Sequence, residues 1–532
     1  MTVQAERPSR SAATRSIAVN TVIVILAFGT AKAISLAQTF IIANMFGIGR
    51  EWDSYVTANR IPELIFTLIA GGALAHAFIP IFSGFLARDD RDGAWATASH
   101  VINSIFVTTL AISVIAFIAA PWLVANVVAP GFDTAAQAQT AELMRILLVS
   151  TLIFSVSGIV MGILQSHGNF LLPALAPIMF DVGILLGVIF LLPIMGVAGI
   201  AVGAVLGAAL HLAIQVPGLI RFRARWVPVL GWRDPALRQV VRLMLPRIAG
   251  LGVFSINFIV MNNIASRLGE GSVSALDWGW RLMQIPQTLI GTAMGTVIFP
   301  TLAALSAVGD ENGKRNAMSG ALRFILVATI PSAFGLIVIG RPMISLLERG
   351  AFDASASALV FSTLQFFTLG LITHSLLEVI ARSFYADKDT LTPLWAALGG
   401  AAINLVGSFV LSDLIGVSGL ALANSLGVSF EVVVLLIVLR RRWHGINESA
   451  LGRSLLQALA ASLVMALVVS AVGSLFVALD LGSGTVITVV QIGVQALVGA
   501  VVFGGVAVLL RMQEVREVVG LVRRRQTAEA AA

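Results

Sequence analysis

Cysteine is absent from the chain. That excludes disulfides, thiolate metal sites and cysteine nucleophiles. Charge is scarce as well. Asp, Glu, Lys and Arg make up 11% of 532 residues, against about 25% in a soluble domain. HExxH, Walker A, GxSxG and protein-kinase signatures are missing too. His76, His211 and His374 are scattered without metal-ligand spacing, so they are expected to be structural. No metal, no other cofactor and no catalytic residue is expected.

What the chain does have is apolar. Hydrophobic residues reach 58% and the mean hydropathy is +0.95. They come in blocks long enough for the roughly 20 residues that cross a bilayer. The expected fold is an all-α polytopic membrane protein with about 14 transmembrane helices. The spans fall at 17–46, 54–85, 97–125, 141–164, 171–192, 197–217, 240–265, 274–305, 317–339, 358–381, 394–412, 416–439, 455–479 and 485–510. The second and eighth are too long for simple crossings and must tilt, bend or project into water. The first is too long for the h-region of a signal peptide and carries Lys32 near its middle, so it is expected to stay uncleaved.

Charge sets the orientation. With the N-terminus in the cytoplasm, the inner loops and tails hold 23 Lys and Arg and the outer loops hold four, Arg50, Arg267, Arg341 and Arg349. That is a strong positive-inside asymmetry, with both termini expected in the cytoplasm. Basic runs at Arg221 to Arg238, Arg440 to Arg442 and Arg523 to Arg525 are expected to meet anionic membrane lipids. They account for the net charge of +7 without nucleic acid.

The chain also repeats itself. GVAGIAVGAVLG at Gly196–Gly207 returns as GVSGLALANSLG at Gly416–Gly427, 220 residues on, with six of twelve letters identical. At the same offset, Gly131-Phe132-Asp133 faces Ala351-Phe352-Asp353 and Pro173 faces Pro393. More loosely, Gly47, Gly49, Arg60 and Pro80 face Gly269, Gly271, Arg281 and Pro300. Each unit holds six spans, an even number, so the copies run parallel about an axis along the membrane normal. The glycines of the repeated phrase are expected to let helices pack closely.

The layout follows: a cytoplasmic tail at 1–16, an N-lobe at 17–220, a basic linker at 221–239, a C-lobe at 240–440, two extra helices at 441–510 and a basic tail at 511–532.

Ionisable residues inside spans are costly and mark sites. Lys32 lies deep in span 1. Arg60 and Glu63 share a face of span 2, three apart. Asp277 and Arg281 lie at the corresponding depth of span 8, and Asp53 opens span 2. Three cations around one central space suit an anionic ligand, with Arg placed for bidentate phosphate recognition. The bland alternative is intrahelical pairing or snorkelling. Glu142 with Arg145 reads as a local pair, and Asp181, Glu378 and Glu431 read as isolated acids.

Four stretches then resemble one family. They are FGIGREWDSYVTANRIPELIFTLIAGGALAHAFIPIF, GILQSHGNFLLPALAPI, WRLMQIPQTLIGTAMGTVIFPTL and ARSFYADKDTLTP. Together they resemble the MurJ (MviN) lipid II flippases of the MOP transporter superfamily, over spans 1 to 12 in order. The resemblance implies two six-helix lobes around a cationic cavity and a lipid-tail groove formed by the last two helices. It implies export of undecaprenyl-diphosphate-linked peptidoglycan precursor by alternating access. Lys32 stands at the family's first cavity arginine. Asp53, Ser274 and Arg281 match family positions. Gln38 and Thr39 stand where the family has Arg and Asp, Glu63 where it has Asn, Phe66 where it has Arg, Gly71 where it has Glu, and Gln284 where it has an acid. The expected partners are a lipid-linked diphosphate glycan, anionic lipids and cell-wall synthesis proteins. The alternatives are a polysaccharide-unit flippase, a multidrug or cation antiporter of the same superfamily, and a non-transporting scaffold for cell-wall enzymes.

Overall fold

The computed structural model describes residues 34, 38–69, 72–479 and 484–516, with the backbone alone at 72–76, 246, 247 and 249. Lys32 and most of the first expected span lie outside these residues, as does Gly71. Among the described residues the chain is helical without strands. We number the helices α1 Arg50–Ile69, α2 Gly72–Ala87, α3 Arg91–Val128, α4 Thr134–Ser166, α5 Leu171–Met195, α6 Ala198–Arg221 and α7 Pro235–Ala265. There follow α8 Ser272–Ala307, α9 Glu311–Ser345, α10 Ala354–Ala386, α11 Leu391–Ile415, α12 Val417–Arg442, α13 Glu448–Ala478 and α14 Thr485–Leu509.

Helices α3 to α14 correspond to the third to fourteenth expected spans. Eleven helices are long and apolar enough to cross a membrane, or twelve when α7 is counted across its 51° bend between Leu245 and Gly250. The count of fourteen is therefore not reached among the described residues. The second expected span is described as two helices, the charged 20-residue α1 and the 16-residue α2, separated by residues 70–71. The eighth is one long helix that absorbs its length through a π turn at Thr288–Thr292. Such turns insert a residue into the helical ladder and often mark functional sites.

The chain divides into two compact units. One holds Arg50–Ile259, and the other holds Phe46–Gly49 with the residues from Val260 onward. The same pairings recur inside each. In the first, α4 packs on α1, α3 and α6, and α6 packs on α5. In the second, α10 packs on α8, α9 and α12, and α12 packs on α11. The hub helices α4 and α10 begin 220 residues apart, each capped by an aspartate of the repeated GFD/AFD triplet. Asp133 accepts from the Ala136 amide and Asp353 from the Ala356 amide. A second pair of caps matches at the same offset. Asp90 accepts from the Gly93 amide at the start of α3, and Asp310 from the Gly313 amide at the start of α9. Each such cap is worth about 1 kcal/mol.

The repeated glycine phrase does two things. Gly196 and Gly416 turn the chain between helices at φ +59°, ψ −148° and φ +62°, ψ −144°, a region essentially restricted to glycine. Gly199 and Gly419 then let α6 meet α5, and α12 meet α11, backbone on backbone. A Cβ at Gly199 would lie 2.5 Å from the Leu191 carbonyl carbon, and one at Gly419 would overlap the Leu411 carbonyl. Leu191 and Leu411 are themselves 220 apart.

The two added helices belong to the second unit. Ala458, Ala507 and Met512 share its core with Leu322, Ile325 and Leu439. Arg323 of α9 pairs with Glu514 just beyond α14 at 3.1 Å, and Ser454 of α13 donates to the same carboxylate at 2.6 Å.

The turn after α10 is locked as well. Asp389 accepts from the Thr392 amide and hydroxyl and pairs with Arg442 at the end of α12. Desolvation works to raise its pKa, but these bonds and the Arg442 charge outweigh it and bring it down to about 2. A depressed carboxylate contributes stability above its unfolded value of 3.8, and that contribution is lost as pH falls toward 2. Arg442→Gln is therefore expected to lower thermal stability modestly at neutral pH, with the gap to the parent closing between about pH 4 and 2. Thermal melts in detergent across that range measure it.

Candidate functional site

In the first unit the charged group sits on α1. Asp53 in the first turn is 2% exposed, where a helix N-terminus favours negative charge. Two turns on, Arg60 and Glu63 pair at 3.6 Å, one turn apart on one face. Their exposures differ sharply: the Arg60 side chain is 11% exposed and Glu63 is 52%. The Arg60 guanidinium lies 5.7 Å from the centre of the Phe258 ring, a cation–π contact. Gln38 is half-buried in the helical run 38–46. Phe66, where the family resemblance expects an arginine, packs on Phe154, which in turn meets Phe180 and His211 edge-on.

In the second unit the polarity of the pair is reversed. Arg281 Nε donates to Asp277 Oδ2 at 2.6 Å across one helical turn. Here the acid is covered, 7% exposed, and the arginine is presented, 55% exposed. Ser274, one turn earlier on the same face of α8, is buried. The repeat thus places an arginine–acid pair on corresponding helices but turns a different member outward in each unit. Of the cations in the described candidate set, Arg281 is the one presented.

Several residues read differently in three dimensions. Glu378 is not an isolated acid. It pairs with Arg382 at 2.8 Å on α10, and Gln287 of α8 donates to it at 3.4 Å beside the π turn. Asp181 is partnered too. Arg145 does not pair with Glu142. Its Nε donates to the Phe117 carbonyl at 3.1 Å, and its guanidinium lies over the Phe117 ring. Two of the three histidines are engaged within the helix packing, and the His76 side chain lies outside the described residues. His211 meets Ser157 at 2.6 Å with Gln215 donating to the same hydroxyl, and His374 meets Asn424 at 3.1 Å. Among the described residues no group of three or more His, Asp or Glu is placed to hold a metal ion.

One of these clusters carries an expectation. Glu378→Gln leaves Arg382 without its carboxylate in the helix interior, and such a break costs about 3–5 kcal/mol when the pair is buried. Both side chains retain some exposure, 31% and 22%, so a smaller loss is expected. Glu378→Gln with Arg382→Leu should recover much of the stability, read as the fraction of monodisperse protein after heating.

Apolar helices in a duplicated plan, with arginine–acid pairs at matching places, define a multi-pass helical membrane protein. Solved structures agree with that class. A lipid II flippase MurJ in an inward closed conformation matches with TM-score 0.76 at 24% identity, covering 92% of this chain and 99% of that one. An inward-facing multidrug-resistance MATE transporter of the MOP superfamily matches with TM-score 0.68 at 16% identity, covering 80% and 99%. Both likenesses are of fold.

Sequence narrows the class. The model of the family described as lipid II flippase MurJ matches residues 42–494. Lipid II flippase MurJ of Burkholderia cenocepacia is 30% identical over 447 residues, 82% of this chain and 86% of that protein. The probable lipid II flippase MurJ of Rhizobium tropici is 29% identical over 508 residues, 93% of each. The chain belongs to the MurJ family and is a multi-pass inner-membrane protein.

Proposed function

We propose that this protein flips lipid II, the undecaprenyl-diphosphate-linked peptidoglycan precursor, across the cytoplasmic membrane by alternating access. The observation that carries the reading is the family match over most of the chain. The presented Arg281, held by a buried aspartate on α8, supplies a fixed guanidinium suited to a diphosphate. We infer that Lys32, Arg60 and Arg281 contact that diphosphate in at least one state, with Gln38, Asp53, Glu63, Ser274 and Asp277 lining or orienting the site. Arg60, covered and shared with Glu63, contributes less than Arg281. Helices α13 and α14 form the groove for the lipid tail, and cell-wall synthesis proteins are the expected protein partners. The membrane potential assists return of the unloaded cationic site, since one charge crossing 100 mV is worth roughly 2.3 kcal/mol.

The deciding experiment is rescue. A bacterium depleted of its own lipid II flippase should regain growth when this chain is expressed. Continued lysis despite membrane-inserted protein contradicts the reading.

Both termini are proposed to be cytoplasmic, from the 23-to-4 split of basic residues. The native chain has no cysteine, so single cysteines report cleanly. Ser483→Cys should react with an impermeant thiol reagent in intact cells and Ser449→Cys should not. The opposite pattern reverses the topology.

A further inference from the structure

The segment joining α6 to α7 is irregular yet pinned along its length. At its start, the Phe222 ring stacks on His167 with centroids 4.2 Å apart. At its end, His100 of α3 meets Asp234 at 2.6 Å. In between, α3 holds the main chain. Asn103 donates to the carbonyls of Val227 and Val229 at 2.7 and 2.9 Å, and Ser104 to that of Leu230 at 2.7 Å. Ser99 accepts from the Val227 amide at 3.1 Å. Arg225 pairs with Asp92, and Arg238 donates to the Trp232 carbonyl.

This pinning bonds much of the strap's backbone to α3 and leaves several large apolar side chains mostly exposed. Trp226 is 62% exposed and Trp232 60%, with Val227 and Val229 also exposed. A water-facing loop of this length would be expected to fold two tryptophans inward, since each carries a large apolar area. Here both indole rings stay largely exposed, Trp226 even though its Nε1–H donates to Asn103 Oδ1 at 2.9 Å, and they stand beside exposed arginines at 221, 223, 225 and 233. The strap lies on α3 as far as Ser104. At Phe106 the exposed apolar band of α3 begins, with Val107, Leu110, Ile115 and Ile118 on it. At 1.5 Å per residue, the strap therefore ends within one turn of the lipid-facing surface. Tryptophan with arginine at that depth is the pattern of a membrane–water interface.

We propose that the strap at residues 221–233 docks on an anionic bilayer surface, with Trp226 and Trp232 at the interface and Arg221, Arg223 and Arg233 on the lipid phosphates. Arg225 is engaged by Asp92 and contributes less. The strap thereby fixes the first unit against the headgroups at one end of α3. The assignment does not depend on which lipid-linked cargo is moved.

The test uses the full chain in nanodiscs, carrying Val229→Cys labelled with an environment-sensitive fluorophore. Discs are made of phosphatidylcholine alone or mixed with phosphatidylglycerol. The label is expected to shift to the blue and to resist an aqueous quencher only in the anionic discs. Molar salt should reverse the effect by shortening the Debye length to about 3 Å. Arg221→Gln and Arg233→Gln should each weaken it roughly fivefold. These side chains are exposed, and monodispersity confirms that the variants fold. Equal burial in both lipids, unmoved by salt, means apolar anchoring alone and overturns the anionic assignment. A label exposed to water in both lipids leaves the strap to a protein partner and overturns the proposal altogether.

Discussion

Arg281→Ala is expected to cut lipid II transport ten- to a hundredfold. A hydrogen bond to a charged group is worth about 1.5–3 kcal/mol, and each 1.4 kcal/mol is a factor of ten. The obvious confound is visible in the structure. Removing Arg281 also takes a charge-assisted bond from Asp277, which is 7% exposed, and weakening the pairing of a buried carboxylate is destabilising by itself. Asp277→Asn in the same background separates the two effects. If the loss comes from the weakened pairing of the acid, the double variant recovers transport. If it comes from the missing guanidinium, the double variant stays inactive while folding normally, and this is the outcome expected here. Arg281→Lys should fall between, because it keeps the charge and loses the planar fork. Arg60→Ala is expected to cost less, since Glu63 and the Phe258 ring already engage it.

Gly419→Val should leave little folded protein. The added Cβ overlaps the Leu411 carbonyl; its position is fixed by the α12 backbone and the carbonyl is itself α11 backbone, so neither has a rotamer to escape into. Overpacking against side chains costs about 1–3 kcal/mol and occasionally more. Backbone against backbone belongs at or above the top of that range. The repeat makes the same forecast for Gly199→Val in the first unit, where the Leu191 carbonyl stands in the way. Gly320→Ala on α9 is the control, because nothing lies within 4 Å of a Cβ there. Alanine in a helix is favoured over glycine by about 1 kcal/mol, so this variant should be neutral or slightly stabilised. Survival of monodisperse protein on heating in detergent measures all three. A Gly419→Val protein as stable as the parent would remove the packing role given to the repeated phrase.

Much of this organisation was legible in the sequence because the bilayer imposes coarse rules. Long apolar blocks became helices α3 to α14, and the 220-residue echo became matching caps at Asp133 and Asp353 and matching turns at Gly196 and Gly416. The second pair of caps, Asp90 and Asp310, lay at the same offset and was overlooked because the letters around them differ. Glu378 looked isolated because hydropathy ended its span at residue 381. The helix runs on to Ala386 and brings Arg382 onto the same face. Spacing alone could have found that pair. The lock of Arg323 on Glu514 joins residues far apart in the chain, and the strap on α3 works through main-chain carbonyls. Neither leaves a pattern in the letters. The orientation of the two arginine–acid pairs was equally hidden, since i, i+3 and i, i+4 spacing says which residues meet but not which one faces out.

The central claim is that the chain moves a diphosphate-linked lipid, and a flipping assay in proteoliposomes tests it directly. Vesicles holding purified protein and fluorescent lipid II are treated with a membrane-impermeant reductant that bleaches only the outer leaflet. With active protein, bleaching should continue past the half-way plateau of empty vesicles. Unlabelled lipid II should suppress it by competition, and Arg281→Ala should return it to the plateau. Bleaching that stops at the plateau with correctly folded protein would contradict the account, as would transport of a cationic drug with no response to lipid II.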